Sequence, residues 1–85
     1  MKTFTLDIFP HHTWGIITGY TDEAGVPSKI IEMGLLPDTQ FKIMHQAPFG
    51  GPLYIEFGVE KSRIALRKEE AKWIHCHQLS EEENQ

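Results

Sequence analysis

His75, Cys76 and His77 stand in succession near the end of the chain, and imidazole beside a thiolate is the donor set of a soft-metal centre or of an activated nucleophile. Their spacing argues against both. Successive side chains on a strand point to opposite faces, so His75 and His77 share one face and Cys76 takes the other; the three cannot act on one ion or one substrate without leaving strand geometry. A weak surface metal site would need His75 and His77 joined by His11 or His12. The alternative is solvated histidines at strand ends, because no Cys-x-x-Cys, His-x-x-x-His or compact carboxylate cluster accompanies them. Cys76 is then expected as a small buried hydrophobe. The chain contains no Gly-x-Ser-x-Gly, phosphate-binding loop or dinucleotide fingerprint. These residues point to a binding protein that is not an enzyme and needs no cofactor.

Ala47-Pro48-Phe49-Gly50-Gly51-Pro52 suits recognition instead. An apolar ring sits in a loop stiffened by two prolines, so much of the ordering entropy of a contact is already spent before a partner arrives. Phe49, with Pro48 and Pro52 around it and Leu36 and Tyr54 in support, forms the candidate partner-binding set. The competing expectation is that Phe49 folds inward and caps the core, as loop aromatics in small domains do. Trp14 and Trp73 are expected in or beside that core.

The elements that must hold these residues are mostly strands. Phe4, Leu6 and Ile8 alternate with polar residues until Pro10, which predicts a half-buried first strand. Trp14 to Tyr20 is rich in β-branched and aromatic residues, with Gly15 and Gly19 implying close packing, a bulge or a bend. One short helix follows, with Pro27 in its first turn, Ile30, Ile31 and Met33 as its apolar stripe and Gly34 at the left-handed C′ position. Leu35 is expected to fold back on the helix, and Pro37-Asp38 to make a tight turn. Strands then run from Phe41 to about Ala47, from Leu53 to Val59 and from Ser62 to Leu66, with a turn near Glu60-Lys61. Lys68 to Lys72 makes one helical turn, and Trp73 to His77 a closing strand with Ile74 and Cys76 inward. Five to six short strands and one short helix predict a mostly β fold, a small SH3-like antiparallel barrel, because closure satisfies strand edges and lets a small chain bury its apolar faces.

Length and charge narrow the function. Eighty-five residues hold one core, expected over residues 1–79, with 80–85 as an acidic disordered tail. The net charge of −4 falls mostly on Glu81, Glu82 and Glu83, leaving nine acidic against eight basic residues elsewhere. A nucleic-acid partner is not expected, since such proteins display a basic stripe and here the basic residues are interleaved with Glu60, Glu69 and Glu70. No apolar run is long enough to cross a bilayer, no signal peptide is evident, and the single cysteine fits a reducing cytoplasm. Monomer and homo-oligomer are both left open.

Met33-Gly34-Leu35-Leu36-Pro37, a helix end before a Leu-x-Pro turn, resembles the FeoA (ferrous iron transport protein A) family. Three further matches follow in order: Ala47 to Pro52 looks like the family's Ala-Pro-x-Gly-x-Pro loop, Ile64-Ala65-Leu66-Arg67 like its barrel-closing strand, and Glu70-Ala71 before Ile74 like its final turn and strand. The chain departs from the family at Asp38, where Gly is usual, at Gly51, where an acidic residue is common, and at Ser28-Lys29-Ile30-Ile31, where an arginine pair is common. Asp38 fits if the turn is type I or if Asp38 itself is left-handed. The resemblance implies a cytoplasmic accessory protein of bacterial ferrous iron uptake that binds and modulates the cytoplasmic part of a GTPase-containing membrane permease, ferrous iron transport protein B. It also implies a fold shared with the C-terminal domain of iron-dependent repressors. Two rival functions are a regulatory domain of that repressor type, although a helix-turn-helix half does not fit in this length, and a small metal-handling protein built on His75, Cys76 and His77.

Overall fold

The structure is a computed structural model that describes residues 2–22 and 24–79. Residues 80–85, expected as a tail, lie outside the described residues. The chain forms β1 (Thr3–Thr5), β2 (Trp14–Tyr20), α1 (Ser28–Glu32), β3 (Gln40–Gln46), β4 (Leu53–Phe57), β5 (Ser62–Leu66), α2 (Lys68–Ala71) and β6 (Ile74–Gln78). All strand pairs are antiparallel, in the order β1-β6-β2-β3-β4-β5, so β1 and β5 are the sheet edges. Leu6, just beyond one edge, and Leu66, on the other, belong to the same buried cluster as Phe9, Ile17, Phe41, Ile55, Ile74 and Cys76. A flat sheet cannot bring both edges to one core, so the six strands curl around it, as the mostly β expectation requires.

Close approach fixes the centre of that core. The Phe9 and Phe41 rings meet at 4.9 Å between centroids, and a Cβ added to Gly15 would lie 2.5 Å from Phe9 and 2.7 Å from Phe41. Only glycine fits there. The register of β2 against β6 shifts between Ile17 and Gly19, the bulge that the second glycine suggests. Ile74 and Cys76 face inward as their alternation predicts.

The end of α1 shows how local sequence sets the next strand. Gly34 adopts φ +98°, its N–H donates to the Ile31 carbonyl at 3.0 Å, and the Leu35 N–H donates to the Ile30 carbonyl at 3.3 Å. This is a Schellman closure, with buried Leu35 folded back on buried Ile30. The Thr39 N–H then donates to the Leu36 carbonyl at 3.2 Å across Pro37-Asp38, with Asp38 left-handed at φ 71°. Positive φ at the third position is the type II pattern, which Asp tolerates better than most residues. The Tyr20 hydroxyl donates to the Leu35 carbonyl at 2.7 Å and ties this corner to β2.

Three apolar residues expected inside are outside. Ile8 is 65% exposed because the chain leaves strand geometry after Thr5 for a 3₁₀ turn over Leu6–Ile8, and Phe9 enters the core in its place. Ile31 is exposed because a helix of five residues buries one narrow face, which Ile30 occupies. Val59 is fully exposed because β4 ends at Phe57 and Gly58, at φ 78°, turns the chain out of the strand.

Candidate functional site

The hairpin between β3 and β4 presents the loop that the sequence singles out. The Ala47 N–H donates to the Pro52 carbonyl at 2.9 Å, and the Gly51 N–H donates to the carbonyls of Ala47 at 3.2 Å and Pro48 at 3.3 Å. The Gln46 side-chain amide donates to the Gly51 carbonyl at 3.1 Å. Each of these bonds lies between residues of the loop or its stems, so the tip is braced from within. A Cβ at position 51 would lie 2.7 Å from that of Ala47, which accounts for glycine there.

Phe49 and Gly50 are the central residues of this turn, at φ 62° and φ 71°. Two positive φ values in succession follow the type I′ pattern, here set within the loop 47–52 between β3 and β4. Glycine adopts that backbone freely, whereas an L-residue with a bulky side chain costs about 1–2 kcal/mol in the left-handed region. The ring gains nothing in return from the core, since Phe49 is 104% exposed relative to its reference state. Nothing in the packing explains why an aromatic residue occupies this position. Strain of this kind, held by surrounding structure, is characteristic of recognition sites.

The remaining residues of the set divide between two places. Pro48 is exposed, Pro52 is half-buried and Tyr54 is 38% exposed at the start of β4, so all three lie at the hairpin end. Leu36, although 45% exposed, lies before β3 while Phe49 follows it. The seven residues of β3 place roughly 20 Å between the two ends, from a rise of about 3.3 Å per residue. Leu36 therefore does not share a contact patch with Phe49. Its neighbourhood is the opposite end of the barrel, where the Phe57 ring lies 3.3 Å from the place a Gly34 Cβ would take.

One aromatic partner escapes sequence reasoning. The His45 ring stacks on Tyr54 with centroids 4.5 Å apart and planes 25° apart. A register shift between Ile43 and His45 makes Met44 the extra residue and brings His45 opposite Tyr54. Strict alternation cannot foresee such a bulge. On the same outer surface Glu56, nearly buried, accepts a bond from Arg63 Nε at 3.1 Å, and Lys42 Nζ stands 5.0 Å from the centroid of the Trp14 ring.

The histidines do not assemble. His75 and His77 lie on β6, opposite Thr5 and Thr3 of β1. His75 Nε2 is 3.1 Å from Thr21 Oγ1, and the His11 and His12 rings stand edge-on to one another at 6.4 Å between centroids, their planes 79° apart. Among the described residues no three His, Cys, Asp or Glu side chains gather closely enough to hold a metal ion, so the surface set of His75, His77 and His11 or His12 is not formed. Cys76 is buried, and burial, with a smaller contribution from the Asp7 charge, pushes its thiol up to about 12. A thiol held protonated in this way is neither a ready ligand nor a nucleophile.

The FeoA domain family model matches residues 4–77. An FeoA-like protein from Clostridium acetobutylicum is similar at 30% identity, covering 95% of this chain and 92% of that one with a TM-score of 0.81. FeoA of Stenotrophomonas maltophilia, solved with zinc and described as a prokaryotic SH3 domain protein proposed to activate ferrous iron transport, is similar at 28% identity, covering 84% of this chain and 86% of that one with a TM-score of 0.66. A manganese-dependent transcriptional repressor shares the fold alone, at 14% identity over 93% of this chain and 38% of that one with a TM-score of 0.75.

Proposed function

The chain belongs to the FeoA domain family, and on that premise we propose that it is an accessory protein of bacterial ferrous iron uptake, which binds the cytoplasmic part of a GTPase-containing ferrous iron permease, ferrous iron transport protein B, and modulates it. The observation that carries this reading is Phe49: a fully exposed aromatic ring on a strained, internally braced turn. An anchor already held in its binding geometry loses little entropy on docking, and aromatic residues in such positions dominate interface energies. The role is binding, without a reaction. Among the described residues no helix is long and apolar enough to cross a membrane, so contact with the permease would be made by this folded surface.

The experiment is a pull-down on the immobilised cytoplasmic region of the permease, using the wild-type protein and the variants Phe49→Ser and Leu36→Ser. The reading expects Phe49→Ser to lose binding by a factor of about ten or more, as removal of a hot-spot aromatic does. Its melting temperature should stay near that of the wild type. Leu36→Ser, at the far end of β3, should bind normally if the contact is confined to the hairpin. No capture of the folded wild-type protein would overturn the proposal.

A further inference from the structure

We infer that the free edge of β5 takes up an extended, acidic peptide segment, which adds to the sheet as a seventh strand beside the Phe49 hairpin. The inference deepens the reading above by giving the form of the docking segment, and rests on it only for the identity of the partner.

The hydrogen-bonding groups of an edge strand point somewhere definite. The Pro52 carbonyl accepts from Ala47 and the Gly58 N–H donates to the Gln40 carbonyl at 2.9 Å, so both backbone groups point toward the β3 side. Direction alternates along a strand, which turns Leu53, Ile55 and Phe57 toward β5. Their partners Leu66, Ile64 and Ser62 point back. The N–H and C=O of Arg63 and Ala65 therefore point outward, and β5 pairs with no strand but β4 among the described residues.

Natural edges are blunted by short length, bulges, proline, charged side chains or a covering element, and on β5 charge is the device present. β1, the other edge, is three residues long and runs into the 3₁₀ turn. β5 has five residues in unbroken register with β4 and no proline. A groove of about 510 Å³ adjoins it, lined by Met44, His45, Tyr54, Arg63, Ile64 and Ala65. Tyr54, which lines that groove, lies two residues beyond Pro52 of the Phe49 hairpin.

Charge selects the occupant. Between Glu60 and Glu69 the chain carries four cations, Lys61, Arg63, Arg67 and Lys68, along the β5 edge itself, with Glu56 paired to Arg63. All four are exposed. Arg63 bonds Glu56 through Nε only, leaving the terminal nitrogens available. A second copy of β5 paired antiparallel about Ile64 would set Lys61 against Arg67 at both ends, and like charges placed directly opposite are destabilising. An acidic extended segment meets the same row with attraction, and its backbone can pair with both the outward N–H and the outward C=O groups in place of water.

The test uses the full chain and fluorescein-labelled synthetic peptides: one alternating Glu and Val, one alternating Lys and Val, and the acidic peptide N-methylated at every nitrogen, so that neither of its edges can donate. Anisotropy should show binding of the acidic peptide alone, and the amide signals of Arg63 and Ala65 should shift in nitrogen-15 spectra. Ala65→Pro removes one outward donor without touching the β4 ladder, and should weaken binding about tenfold or more; Val59→Gln, fully exposed beyond the end of β4, should bind as the wild type. Should Ala65→Pro fail to fold, the N-methylated peptide still decides the matter. Equal binding of the N-methylated and unmodified peptides, no binding of the acidic peptide, or unmoved Arg63 and Ala65 signals would each overturn the inference. Peptide binding with no capture of the permease region would sink the functional reading and leave the edge site standing. Capture that is lost in Phe49→Ser but intact in Ala65→Pro would do the reverse.

Discussion

Phe49→Gly should leave the fold at least as stable as the wild type while removing the ring thought to bind. Phe49 is fully exposed, so no burial is lost. Its φ of 62° costs an L-residue about 1–2 kcal/mol, and glycine recovers that sum. Glycine also gives back roughly 0.5–1 kcal/mol through the larger freedom of its unfolded chain. The net expectation lies between about 0 and 1.5 kcal/mol in favour of the variant. For a domain of this size each kcal/mol moves the melting temperature by about 4–8 °C, so the midpoint should hold or rise by several degrees. Urea unfolding followed by Trp fluorescence reads the same quantity, and an unchanged m-value would show that the compactness of both end states is preserved. A ring packed in the core would give the opposite result, a loss of about 3–5 kcal/mol. A loss of more than about 1 kcal/mol therefore refutes both the exposure and the strain argument, since glycine's entropy alone accounts for no more than that.

Gly15→Ala should destabilise by about 1–3 kcal/mol in the same assay, because its Cβ would lie 2.5 Å from the Phe9 ring and 2.7 Å from the Phe41 ring, and both would have to shift; a neutral result would mean that the Phe9 and Phe41 rings repack freely. In native protein at pH 8, Cys76 should resist a thiol-reactive dye and react at once in guanidinium, since its thiol is pushed up to about 12; native labelling at the rate of a free thiol would contradict its burial. Lys29 Nζ donates to Glu70 Oε2 at 2.8 Å, and this bond first, then the Arg67 N–H, holds the Glu70 carboxyl below its ordinary range. A carboxyl depressed by folding contributes stability above its unfolded value near pH 4.3 and loses it as pH falls through the lower native one. Glu70→Gln should therefore cost up to about 1 kcal/mol at pH 7, with a gap that closes as the pH falls through the lowered native value and shrinks in high salt; a gap independent of pH would show that charge plays no part.

Periodicity reveals most of the architecture, and its failures have local causes. Leu53, Ile55 and Phe57 alternate inward as their spacing requires, and so do Ile74 and Cys76. Ile8 and Val59 continue the same alternation in sequence but not in space, because a 3₁₀ turn and a left-handed Gly58 end the strands early. A period of two carries no signal of where the backbone leaves the strand. Gly34 and Asp38 were legible through turn chemistry, since few residues accept positive φ. At the hairpin the prolines and glycines mark a turn, yet composition leaves open whether Phe49 faces in or out. That direction depends on the turn type, and so on hydrogen bonds between Ala47, Pro48, Gly51 and Pro52. His45 against Tyr54, and the outward N–H groups of Arg63 and Ala65, depend on register and on one bulge, which only the assembled sheet supplies.

The contact with the permease is tested most directly by titrating its cytoplasmic region into isotope-labelled protein and following every backbone amide. Shifts or broadening should centre on Phe49, Gly50, Gly51 and Tyr54, with the amides of Ile31, Leu36 and Val59 at the far end of β3 left in place. Perturbation confined to that far end, or to the histidines of β6, would contradict it.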